Sequence, residues 1–136
     1  MGQTVINPTK LAKPAGYAHG IRSEGGRLLF LAGQTGTNPE GKIIAPDDLP
    51  AQFAQALSNL EVVVEEAGGK VTDIVKLTIF ITDKSAYLAN LRPIGNAYRS
   101  IMGRHYPAMT LVEIKSLFDD QALVEIEGMA VMGEAD

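Results

Sequence analysis

The run VEIEGMAV, residues 124–131, sets two carboxylates, Glu125 and Glu127, two positions apart. In an extended strand alternate side chains share a face, so both glutamates lie on one side while Val124, Ile126 and Gly128 take the other. Like charges this close repel unless water or a cation relieves them. Two readings stay open at this point. In one the face is simply solvated, or paired with Lys76 or Lys115 on neighbouring strands. In the other, a glutamate partly buried at a subunit boundary positions or activates water. The two histidines, His19 and His105, stand far apart and read as loop residues rather than metal ligands. With no cysteine there is no thiolate nucleophile, disulfide or cysteine-ligated zinc. A Walker loop, an H-E-x-x-H helix, a G-x-S-x-G elbow and a strand followed by G-x-G-x-x-G are all missing.

Several elements must position these residues. Between Asp48 and Ala67, Phe53, Ala56, Leu57, Leu60, Val63, Val64 and Ala67 recur at three- and four-residue steps, the stripe of an amphipathic helix. Asp47 or Asp48 caps its start, Pro50 suits its first turn, and Gly68-Gly69 supplies a left-handed stop. Ile74 to Thr82, rich in β-branched and aromatic residues, reads as a central strand. A second helical region follows from Ser85 to Met102, which Pro93 kinks or restarts. Upstream, Glu24-Gly25-Gly26 predicts a hairpin turn with Arg27 to Ala32 as its buried second strand, and Lys42 to Ile44 a further short strand. Met109 to Leu117 and Ala122 to Met132 read as a closing antiparallel pair. The order predicts an α+β sandwich, a mixed six-stranded sheet with two helices on one face.

The chain of 136 residues is the length of one domain, and 46% hydrophobic with 21% charged residues is the composition of a soluble globular protein. A net charge of −4 with scattered lysines and arginines makes nucleic acid a poor partner, and no segment reads as a membrane span or secretory leader. Together with the missing cysteines, this makes a cytoplasmic location the expectation.

Four motifs, in order, resemble the Rid family: the YjgF-like reactive-intermediate deaminases, also labelled L-PSP endoribonucleases. They are Gly16-Tyr17, LLFLAGQTGTNPEGKI (28–43), VVVEEAGGKVTDIVKLTIFITD (62–83), and YPAMTLVEI with ALVEIEGMAV near the end. The resemblance implies a chorismate-mutase-like fold and a homotrimer with a small-molecule cleft between subunits. It also implies cofactor-independent hydrolysis of enamines or imines to a carbonyl compound and ammonia. Carried over by position, Glu125 would position the water, Tyr17 would be the cleft tyrosine, and Gly33 and Gln34 would supply backbone donors. Ala32 stands where the family usually has serine, and Gly95 where it usually has asparagine.

The sharpest departure is in HYPAMTLVEI (105–114), where Met109 holds the place of the arginine that grips the substrate carboxylate. Methionine has neither charge nor donor. Losing two charge-assisted hydrogen bonds costs on the order of 10² to 10⁴ in affinity for an ordinary imino acid. Arg104, five residues earlier, reads as a surface side chain. The resemblance therefore leaves three roles: a deaminase or hydrolase of other imines or enamines, a non-catalytic trimeric ligand-binding module, and, least favoured by the acidic charge, a ribonuclease or translation inhibitor.

Overall fold

The computed structural model describes residues 2–133. Six strands and three helices follow in the order β1 (Gly2–Ile6), β2 (Gly20–Glu24), β3 (Arg27–Gln34), α1 (Leu49–Glu66), β4 (Ile74–Ile81), α2 (Lys84–Ala89), α3 (Leu91–Met102), β5 (Ala108–Glu113) and β6 (Val124–Met132). A single 3-10 turn, Val71–Asp73, leads into β4.

The strands form two sheets rather than the expected one of six. A mixed four-stranded sheet runs β3-β6-β4-β5, and β1 pairs antiparallel with β2 alone. The Gly25-Gly26 turn has the positive φ its composition implies, at 71° and 86°, but it carries the chain from one sheet to the other instead of closing a hairpin. Nor do the last two strands pair with each other: β4 lies between them, parallel to β5 and antiparallel to β6. A parallel neighbour needs a crossover, and the α2–α3 segment supplies it. Residues 42–44 form no strand; Ile43 makes only an isolated bridge to Thr37.

Helix α1 follows the apolar stripe. Phe53, Ala56, Leu57, Leu60 and Val64 are buried against the sheet, and the Asp48 carboxylate accepts from the Ala51 N–H at 3.1 Å. At its far end the Gly69 N–H donates to the Val64 carbonyl and Gly68 takes φ 92°, closing the left-handed stop. The second helical region is two helices, not one. They meet at Asn90, whose side chain donates back to the Ala86 carbonyl at 2.7 Å, and Pro93 sits in the first turn of α3, where its missing N–H costs no bond.

All three helices lie on the side of Leu77, Ile79, Ile81, Val124 and Ile126, the sheet's contribution to the core. The opposite face is open. On β3 it leaves Leu28 and Phe30 62% and 69% exposed, so this strand is buried on one side only, contrary to its sequence reading. No helix of the described residues is long and apolar enough to cross a membrane.

Candidate functional site

The glutamate-bearing strand β6 is held to β3 by antiparallel pairing that slips between Leu31 and Gln34: Leu31 faces Gly128, whereas Gln34 faces Ile126. Three residues of β3 therefore span two of β6, a bulge that contains Ala32 and Gly33. The bulge sets Gly33 directly beside the Glu125 side chain. A Cβ at residue 33 would lie 2.5 Å from Glu125 Oε2 and 2.8 Å from Cδ, so only glycine leaves the carboxylate its place. Glu125 is half-buried opposite Phe80 of β4, while Glu127, opposite Thr78, is exposed. Neither makes an ion pair among the described residues; Lys76 instead donates to the Thr110 hydroxyl at 3.1 Å. Ala32, Gly33, Gln34 and Glu125 thus form one cluster at the bulge.

Met109 is elsewhere. In the parallel ladder it is level with Leu77, a core residue, and it packs against the helix-side core. Glu125 is level with Phe80, three residues further along β4 and so on the opposite face. The family resemblance puts these residues in a cleft between subunits, and within one chain the sheet separates them.

Tyr17 belongs to the Met109 side. The Ala18 N–H donates to the Pro107 carbonyl at 3.0 Å and Ala18 bridges to Ala108, which attaches the segment after β1 to the start of β5. Two adjoining clefts result, sharing Gly16 and Tyr106. The larger, about 740 Å³, is walled by Tyr17, Lys13, Arg104 and His105 together with the inner side of β1. Arg104 therefore reaches a cleft wall rather than standing clear of one. The smaller, about 320 Å³, is walled by Met109, Phe53, Ile79, Tyr87, Tyr98 and Arg99.

Arg99 was missed by sequence reasoning. It lies one helical turn beyond Gly95, a position already marked by its lost asparagine, and the i, i+4 spacing on α3 is the signal that could have found it. The phenols nearby stay protonated. Burial raises the Tyr87 hydroxyl above its ordinary range, and burial together with the neighbouring Tyr106 raises Tyr98 far above it. Tyr98 donates to the His105 carbonyl at 2.6 Å and its ring stacks on Tyr106 at 5.3 Å.

Both histidines are tied to main chain: the His105 Nε2–H donates to the Ile74 carbonyl at 2.6 Å and the His19 Nε2–H to the Ala12 carbonyl at 2.7 Å. Among the described residues no group of three or more His, Asp or Glu gathers as a metal site.

Known proteins match the chain over nearly its whole length. The family model described as Endoribonuclease L-PSP matches residues 8–132. A RutC family protein of Pyrococcus abyssi is 32% identical over 96% of this chain and 98% of its own. A 2-iminobutanoate/2-iminopropanoate deaminase of Escherichia coli is 33% identical over the same shares. Among solved structures, the Rid-family protein YyfB of Yersinia pestis, a protein of unknown function, superposes with a TM-score of 0.86 at 32% identity, covering 97% of this chain and all of its own. The two-layer α+β arrangement is the chorismate-mutase-like fold of these proteins. Their shared sequence and architecture establish that the chain belongs to the Rid, or YjgF-like, family.

Proposed function

We propose that the protein is a Rid-type deaminase or hydrolase that acts on an imine or enamine in a cleft between subunits of a homotrimer. The observation that carries this reading is the separation of Met109 and Glu125 by the sheet. A site that uses the adjoining clefts of Tyr17 and Met109 together with the Glu125 carboxylate needs two copies of the chain, one supplying each part. The open face favours such an assembly, because Leu28 and Phe30 form an apolar surface that a second copy would cover. The relative named as an iminobutanoate/iminopropanoate deaminase supports the reaction class.

The chemistry takes no cofactor. Glu125 accepts a proton from a water molecule as its oxygen bonds to the imine carbon, and the C=N bond becomes a C–N single bond. The C=N electron pair passes to nitrogen, which takes that proton back from Glu125 and a second from the hydroxyl group just formed. As the C–N bond breaks the O–H pair becomes the C=O bond, which releases ammonia and leaves a carbonyl. An enamine enters the same path once a proton has moved to its carbon. Gly33 and Gln34, the backbone donors that the family resemblance implies, adjoin Glu125 at the bulge and in this reading steady charge on the oxygen, while Tyr17 orients the substrate from the facing subunit. With Met109 in the cleft, the substrate is not held as an ordinary imino acid is by a strand-borne arginine.

Ammonia release from a panel of imines generated in place, compared between the native protein and Glu125→Gln, tests the reading. Release that Glu125→Gln abolishes supports it, and silence of both proteins across acidic and neutral imines overturns it. A second reading, a trimeric module that binds ligand without turnover, draws on the uncharged Met109 and would be favoured by that silence if a ligand still bound. For the ribonuclease role, both histidines commit Nε2 to backbone carbonyls and the net charge is −4, so neither a histidine pair nor a general attraction for RNA supports it.

A further inference from the structure

Met109 leaves the smaller cleft with one charged side chain on its wall, that of Arg99. Its guanidinium lies across Gly95: a Cβ there would stand 3.3 Å from Nη1 and 3.6 Å from Nη2. Glycine within a helix costs about 0.5–1 kcal/mol relative to alanine, so a glycine at this position of α3 weakens the helix and in return seats the guanidinium on bare backbone. Asn96 fixes the head group, its Oδ1 accepting from Nη2 at 2.7 Å. No carboxylate lies within ion-pair distance of Arg99 among the described residues. A guanidinium has five N–H donors in a planar fork, which leaves donors for a planar oxyanion. The rest of the wall includes the apolar side chains of Met109, Ile79 and Phe53 and the neutral phenols of Tyr87 and Tyr98.

We infer that Arg99 is the oxyanion-binding residue of this protein. The anion anchor has moved from the strand position held by Met109 to helix α3, and the ligand is a small amphipathic acid whose carboxylate meets Arg99 while its apolar part lies against Met109. As a statement about substrate, this rests on the deaminase reading and deepens it: the imine or enamine carries an acid group gripped from the helix side. As a statement about binding, it is tested separately.

The probes are phenylpropanoate, its primary amide, and phenylpyruvate, titrated calorimetrically into the intact oligomer. The native protein should bind the acids at least about tenfold tighter than the amide, since charge-assisted hydrogen bonds are the stronger kind. Arg99→Met should weaken the acids by about 10²-fold and leave the amide unchanged, and Arg99→Lys should recover part of the loss. Gly95→Asn, which retains the arginine but fills its seat, should reduce acid binding in the same direction. A purely structural Arg99 would instead shift acid and amide alike, or alter only the melting temperature. Equal affinity for acid and amide, no acid binding by the native protein, or acid binding unaffected by Arg99→Met overturns the inference. Ammonia release separates the two claims. Acid binding that depends on Arg99 without any turnover supports the anchor and removes the deaminase, whereas imine turnover with KM unchanged in Arg99→Met does the reverse.

Discussion

The Glu125 carboxylate occupies the space where a side chain at residue 33 would begin, with Oε2 2.5 Å from the position of a Cβ there. The atom in the way is the free end of a flexible side chain, so Gly33→Ala moves the carboxylate rather than the strand. Stability should change by less than about 1 kcal/mol, as for other substitutions outside the core. Turnover should fall about 10- to 100-fold, because a displaced base loses its alignment with the water. Steady-state kinetics beside a thermal melt checks both halves.

The open sheet face gives a prediction about assembly. Phe30→Asp puts a charge on a residue that is 69% exposed in the single chain, so the chain itself should keep its fold, as circular dichroism would show. In the proposed oligomer the same aspartate is buried without a partner, and sedimentation should show a shift from trimer toward monomer. An unchanged sedimenting mass would place the interface elsewhere.

Gln52 links loops that are distant in sequence. Fully buried, it shares its two Nε2 N–H donors among the carbonyls of Ala45, Pro46 and Gln121, each at 3.1 Å, and accepts from the Leu123 N–H at 2.8 Å. These bonds tie the approach to α1 to the loop that feeds β6, the strand that carries Glu125. Gln52→Leu leaves those backbone groups unpaired in the interior and should destabilise the protein by about 2–4 kcal/mol. Urea unfolding should show a lower midpoint with the slope retained.

Tyr98 sets the alkaline limit of stability. Burial, reinforced by Tyr106, raises its folded proton affinity above the ordinary value of 10.0. The folded state then holds the phenol proton to higher pH than the unfolded chain does. The contribution is complete below about pH 10 and declines as pH rises above it. Tyr98→Phe should lose about 1 kcal/mol at neutral pH with the bond to the His105 carbonyl, and its stability should fall less steeply above pH 10 than the native protein's. Chemical denaturation from pH 7 to 11.5 measures the two slopes.

How much of this was legible in the sequence varies with the range of the interaction. Helix α1, its Asp48 cap and its glycine stop were readable because apolar spacing and capping chemistry are local. The restart near Pro93 was readable for the same reason, though Asn90 rather than the proline marks the junction. Sheet order was not. Neighbouring strands in sequence usually pair, which suggested a β5–β6 hairpin and a β2–β3 hairpin, but β4 separates the first pair and a change of sheet separates the second. The same limit applies to the site. Motif order pointed to Glu125, Tyr17, Gly33, Gln34, Ala32 and Met109, and the structure gathers four of them at the bulge. That Met109 faces the helices while Glu125 faces away depends on register, which no local pattern carries. Arg99 escaped because Gly95 was read as an absence, when it also makes room one turn further along α3.

Subunit complementation tests most directly whether two chains build the site. Glu125→Gln and Tyr17→Phe are prepared separately, each expected to release little ammonia from the imine that the native protein turns over best. They are then unfolded, mixed in equal amounts and refolded together. If each cleft takes its glutamate from one chain and its tyrosine from the next, random mixing in a three-fold ring restores about one site in four. Recovery to about a quarter of native activity is the expected result. No recovery above the separate variants, in mixtures shown by mass to contain both chains, would mean that Glu125 and Tyr17 do not meet across a boundary.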